Sequence, residues 1–209
     1  MSLVLPVLVR GINNLSDARY CAGMGADGLI FTLDPTLPGA VDAATVKELA
    51  GWVAGVEIIG EFGNVPGPEV NRLVEECGLS SVLLRLDPSR RNLPEGLAVP
   101  ALLEVPAALI TDQHYYTAAI ADLTAALPQG FAFFTTLPAA ADAAEHAYWQ
   151  SLARQSALWL AGPPAPAQAR QLAEAVQPTG LILAGGDEIK PGLRDFTELE
   201  AVFEALEEA

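Results

Sequence analysis

The sequence is poor in the residues that carry much of protein chemistry: two cysteines, two histidines and two lysines in 209 residues. Cys21 and Cys77 lie far apart, each near the apolar side of a helical pattern, and read as reduced core thiols rather than a disulfide or a ligand pair. His114 and His146 fall in helical stretches away from strand ends, where they read as surface residues. No metal signature appears, and no cofactor is expected. Eleven basic residues face 26 acidic ones, for a net charge of −15. Such a surface repels phosphate backbones and anionic lipid, which argues against nucleic acid and membrane partners. No apolar stretch reaches the roughly 18 residues of a membrane helix. The N-terminal apolar run lacks both a preceding basic region and a following cleavage site, so no signal peptide is expected and the cytoplasm is the expected location. Charged residues make up only 18% and hydrophobic ones 51%, with no charge run or Ser/Gly linker. One folded domain over residues 1–209 follows, large enough to bury roughly 70% of its unfolded surface.

What is present is a repeated unit. Residues 3–9 form a nearly unbroken apolar run, suited to a strand covered on both faces. Gly11 to Asn14 break it, and Asn14 or Ser16 can cap a helix whose Ala18, Cys21, Ala22 and Met24 make a small-residue packing face. Gly25 closes that helix before a second strand over 28–32. The alternation continues with a helix over 43–54, a strand over 56–62, a helix over 68–77 and a strand over 81–86. Residues 87–96, with two prolines, read as loop rather than helix. Then come strands over 99–105, 131–136, 157–161 and 180–184, with helices over 111–127, 139–154, 165–176 and 196–206. Eight strands alternating with helices in about 200 residues predict a (β/α)8 barrel with short loops. An open doubly wound sheet is the alternative.

The first and last units together resemble the phosphoribosylanthranilate isomerase family of tryptophan biosynthesis. Arg10-Gly11-Ile12 and Asp17-Ala18 stand where that family has its cysteine-glycine-isoleucine turn and first-helix Asp-Ala, and Gly25-Ala26-Asp27 matches its Gly-Ala-Asp. Glu61-Phe62-Gly63-Asn64 is similar to its third strand end. Gly185 to Asp195 resembles its eighth loop, with Glu188, Pro191-Gly192 and the basic-Asp pair Arg194-Asp195 in register. The resemblance implies a barrel that shuttles a proton on a ribosyl amine, with a cysteine base ending the first strand and an aspartate acid ending the sixth.

The chain departs from that pattern where the chemistry sits. Arg10 replaces the cysteine, and a guanidinium cannot take a proton at neutral pH. Thr135 or Thr136 occupies the position of the aspartate. Leu8 stands for the family's lysine, Arg85 lies where its fourth-strand histidine motif falls, and its substrate-binding arginine has no counterpart near Asp34 to Pro38. The resemblance places phosphate on backbone N–H groups of the seventh and eighth loops. Here Gly162, Gly185 and Gly186 are the candidate donors, weakened by Pro163, Pro164 and the added anion Asp187.

Arg10 and Arg85 end barrel strands, at the rim where (β/α)8 sites are built. Glu61 and Glu104 end neighbouring strands. A closed ring of these four charges would satisfy each buried one; an open pair of arginines would grip a small anion, phosphate or carboxylate. Alternation alone does not say which face the glutamates take. Three readings follow: a diverged, catalytically silent relative binding a small anion or a protein partner; an enzyme of altered acid/base chemistry using Glu61, Glu104 or Asp187; or a working isomerase of that pathway. The sequence leaves the oligomeric state open.

Overall fold

The computed structural model describes residues 2–85, 94, 96–105, 127, 129–136, 143–162, 165–185, 187–190 and 193–208, of which 143–145, 187–190 and 193 are described by backbone alone. The expected loop over 87–96 lies largely outside these residues. So do the helix over 111–127 except its last residue, the start of the helix over 139–154, His114 and Gly186.

Eight parallel strands close into a barrel in sequence order: β1 (Val7–Arg10), β2 (Gly28–Thr32), β3 (Glu57–Phe62), β4 (Ser81–Arg85), β5 (Ala101–Glu104), β6 (Phe131–Thr136), β7 (Leu158–Ala161) and β8 (Gly180–Ala184). β1 closes the ring on β8, with Val7 beside Leu181 and Arg10 beside Ala184. The expected (β/α)8 barrel is thus the fold. The described helices are α1 (Leu15–Gly23), α2 (Ala43–Ala50), α3 (Gly67–Cys77), α4 (Ala143–Ala153), α5 (Pro166–Val176) and α6 (Thr197–Leu206). α1 starts where Asn14 accepts the Asp17 N–H at 3.0 Å, satisfying one of the free donors of its first turn. α3 ends on Gly78 in the left-handed region at φ 65°, a conformation that costs a side chain but not glycine.

Strand alternation sorts the barrel's side chains into two layers. Val7, Val9, Leu29, Phe31, Val82, Leu84 and their equivalents face the helices and share a core with Cys21, Cys77, Val70 and Phe203. Leu8, Ile30, Ile59, Leu83, Leu102, Phe134, Ala161 and Ile182, one from each strand, fill the interior. A filled interior makes the barrel a packed core and not a pore. Both cysteines are buried free thiols. Burial pushes the Cys21 thiol up to about 12, an effect that neighbouring Asp17 reinforces. His146 is half-buried on α4.

Three expectations need correction. The first strand begins at Val7, not at residue 3: Leu3 forms an antiparallel bridge with Glu207, and Pro6, which has no N–H, lends only its carbonyl to Leu181. The second helix stops at Ala50, because Gly51 and the turn after it end the pattern four residues early. The eighth loop is not simple loop. It carries an antiparallel pair, β9 (Asp187–Lys190) and β10 (Leu193–Asp195), with Arg194 opposite Glu188. No helix among the described residues is long and apolar enough to cross a membrane.

Candidate functional site

Two residues beyond the apolar interior layer, seven of the eight strands deliver a described inward residue to the C-terminal rim. Alternation names that set as Arg10, Thr32, Glu61, Arg85, Glu104, Thr136 and Ala184. Six of the seven are polar or charged and sit directly above a layer of Leu, Ile, Phe and Ala. The chemistry of the barrel is therefore concentrated at its mouth.

Glu61 is the centre. Its side chain is 1% exposed, whereas those of Arg10 and Arg85 are 22% and 35% exposed. Oε1 accepts from Arg10 Nη2 and from Arg85 Nε, and Oε2 accepts from Arg10 Nε and from the Thr32 hydroxyl, both at 3.0 Å. Four accepted hydrogen bonds fill the lone-pair sites of a carboxylate. Burial alone would push the Glu61 carboxyl upward, but the Arg10 hydrogen bonds and the two guanidinium charges outweigh it and hold the group below its ordinary value. Arg10 is raised: burial opposes its charge, and the hydrogen bonds and charge of Glu61, with Glu104 adding to the field, more than compensate. Its Cζ lies 5.9 Å from the centre of the Phe134 ring, at the outer limit of a cation–π contact.

Arg85 and Glu104 are register partners on β4 and β5. Neighbouring parallel strands put such partners about 4.8 Å apart at the backbone. Even so, Glu104 accepts no hydrogen bond from a described residue. Arg85 is tied only through Nε, which leaves both terminal nitrogens without a partner among the described residues. Of the ring of four charges, three are thus joined through one carboxylate, and the fourth contributes field alone.

The two threonines of β6 separate cleanly. Phe134 points inward, so Thr136 does too and is exposed at the rim, whereas Thr135 is fully buried on the helix-facing side with no hydrogen-bond partner for its hydroxyl among the described residues. Of the two threonines that the resemblance offered for the family's acid, Thr136 is the one at the mouth. Thr32 was not singled out from sequence, although it shares the parity of Glu61 on the adjacent strand and was legible by that signal. Asp34 was also missed as an anchor. Buried at 2% exposure, it accepts from the Thr36 N–H and hydroxyl at 2.9 and 2.7 Å and from the Gly63 N–H at 3.0 Å, fastening the loop after β2 to the end of β3. Burial acts to raise this carboxyl, and these bonds lower it by more.

Next to Arg10 around the ring, at the ends of β7 and β8, the two described candidate phosphate donors are engaged, and Gly186 lies outside the described residues. Gly185 N–H donates to the Arg10 carbonyl at 2.8 Å, and Gly162 N–H donates to the Ile182 carbonyl at 3.2 Å, each extending the barrel ladder by one step. A Cβ at Gly185 would lie 2.7 Å from Arg194 Nη1, so the Arg194 guanidinium packs against this glycine. Arg194 in turn pairs with Asp17 through Nε at 2.9 Å, the two side chains being 13% and 2% exposed. Asp187 lies on β9, opposite Asp195.

Comparison with known proteins places this geometry. No family model matches the chain. A phosphoribosylanthranilate isomerase from Trichormus variabilis is 29% identical to it over 96% of this chain and 97% of its own. Among solved structures, the isomerase from Thermus thermophilus superposes with a TM-score of 0.71 at 25% identity, covering 97% of this chain and 98% of that one. An isomerase solved in complex with reduced 1-(o-carboxyphenylamino)-1-deoxyribulose 5-phosphate superposes with a TM-score of 0.73 at 18% identity, covering the same 97% and 98%, a likeness of fold. In sequence along nearly its whole length, and in fold, the chain is a phosphoribosylanthranilate isomerase-like (β/α)8 barrel.

Proposed function

We propose that this barrel does not catalyse the isomerisation and instead binds a small anionic molecule, a carboxylate or a phosphate, at its C-terminal mouth. One observation carries the reading. The position where the resemblance calls for a proton-accepting cysteine holds Arg10, and its guanidinium is fastened by two hydrogen bonds to a buried carboxylate. Glu61 is not a replacement base, because all its acceptor sites are filled and its carboxyl is held below its ordinary value. The hydroxyl of Thr136, at the position the resemblance gives to the acid, donates hydrogen bonds but is far too weak an acid to deliver a proton near neutral pH. What the mouth does supply is charge: two guanidinium groups share one buried carboxylate, which leaves cationic character exposed at Arg85.

The eighth-loop site is the weaker anchor for an anion, since the N–H groups of Gly185 and Gly162 are spent inside the barrel ladder. A cytoplasmic setting goes with this reading, and a biosynthetic one with its competitor. The competing reading is a working isomerase, favoured by 29% identity to a named isomerase across nearly the whole chain. A direct isomerase assay, with rescue of a tryptophan auxotroph lacking that enzyme, separates them. No turnover together with binding of benzoate or phosphate that is lost in Arg85→Ala supports the proposal, and ordinary turnover sinks it.

A further inference from the structure

Resting on the mouth reading above, we infer that the anion taken there is a monoanionic carboxylate, seated end-on against the two terminal nitrogens of Arg85, and that a phosphate dianion is disfavoured. The argument begins with how Arg85 is held. Its Nε is fixed to Glu61 Oε1, so the guanidinium plane is set, while Nη1 and Nη2 have no partner among the described residues and the side chain keeps 35% of its exposure. Two parallel N–H donors on a fixed plane match the two oxygens of a carboxylate, the bidentate geometry that distinguishes arginine from lysine. Arg10 does not compete for this role. Two of its nitrogens are committed to Glu61, and it lies over the Phe134 ring.

Charge decides between carboxylate and phosphate. Arg10 and Arg85 contribute two positive charges and Glu61 one negative, so the bonded trio carries one net positive charge. A carboxylate neutralises the trio and leaves Glu104 the one unbalanced charge, whereas a phosphate dianion adds a second beside Glu104, which stands next to Arg85 in register. Glu104 itself acts in the same direction, since an anion at Arg85 approaches it and a second charge on that anion meets it. Glu61 and Glu104 thereby act as selectivity residues without touching the ligand, by limiting how much negative charge the mouth accepts.

The test titrates the full chain with acetate, benzoate and inorganic phosphate at about pH 8, where phosphate is a dianion, at constant ionic strength, followed by calorimetry or amide NMR shifts. Both carboxylates are expected to bind at least about tenfold more tightly than phosphate. Arg85→Lys keeps the charge but not the fork and is expected to weaken them by about tenfold. Glu104→Gln, which removes a charge that makes no hydrogen bond to a described residue, is expected to bring phosphate binding up to within about threefold of benzoate. Phosphate binding as tight as or tighter than the carboxylates, and lost in Arg85→Ala, overturns this inference while leaving the anion-binding mouth in place. Carboxylate binding unaffected by Arg85→Lys also overturns it. Absence of binding by any of the three anions overturns both.

Discussion

Arg194, in the second strand of the hairpin that follows β8, holds Asp17 of α1 at 2.9 Å over the seam where β8 meets β1, with both side chains largely out of water. These residues belong to the two motifs that carry the family likeness, one near each end of the chain, so the likeness marks a physical clasp between the first and last units of the barrel. Arg194 also lies against Gly185 and within 3.9 Å of where a Cβ on Gly11 would stand. Breaking a buried pair from one side leaves a desolvated charge. Arg194→Ala is therefore expected to lower unfolding free energy by about 3 kcal/mol, and Asp17→Ala with Arg194→Ala together by clearly less than the sum of the single losses. Urea denaturation of the four proteins measures this; additive losses would show that the clasp carries no coupling.

Glu61 makes stability depend on acid. Its folded carboxyl is held below its ordinary value of 4.5, against burial, by Arg10, Arg85 and Thr32. A group whose folded value is depressed contributes stability that is present above the unfolded value and lost as pH falls through the folded one. The stability difference between the native chain and Glu61→Gln is expected to be about 3 kcal/mol near neutrality. It should stay flat down to about pH 5 and shrink below that. A difference that grew on acidification would contradict the assigned charge state.

The bottom of the barrel sets a different constraint. A Cβ on Gly180 would meet the Trp159 ring and would lie 2.6 Å from the Pro6 carbonyl oxygen, which is itself fixed by the Leu181 N–H at 2.9 Å. The ring can shift, but the carbonyl belongs to the ladder that closes β1 on β8. Gly180→Ala is expected to cost about 3 kcal/mol, at the upper end for overpacking, read as a lowered urea midpoint with unchanged slope.

Much of this was legible in the residues, for a definite reason. Period-two alternation and strand order survive folding unchanged, so Arg10, Glu61, Arg85 and Glu104 could be placed at strand ends before any coordinates. Their facing could not, because the strands are short and a shift of one residue at the rim exchanges inside for outside. Thr135 and Thr136 show the difficulty: only the inward Phe134 ring assigns the mouth position to Thr136. That one carboxylate would serve two arginines is a long-range fact, linking positions 51 and 24 residues apart. The hairpin after β8 was missed because its strands are three and four residues long, too short for a periodic signal, although Pro191-Gly192 between them is a turn signal.

The last prediction concerns the two positions that the resemblance makes catalytic. Restoring the family pair by Arg10→Cys and Thr136→Asp is expected to yield no measurable isomerase activity, with kcat/KM at least about 10⁴-fold below a working isomerase assayed in parallel. The cysteine would arrive beside Glu61, which would then keep Arg85 and Thr32 but lose the two bonds that Arg10 supplied. A buried carboxylate short of partners is costly, and its negative charge would oppose forming a thiolate next to it. The substrate's phosphate would still lack the N–H groups of Gly162 and Gly185, so it would not be held in a near-attack geometry. Stability should fall as well, by about 3 kcal/mol. Adding Glu61→Leu together with Arg85→Leu should recover most of that loss, because a buried ion cluster replaced as a unit by apolar groups is often neutral. Robust turnover from the two-residue reversal alone would show instead that the mouth and the eighth loop remain competent for the isomerisation, with Arg10 and Thr136 its only blocks.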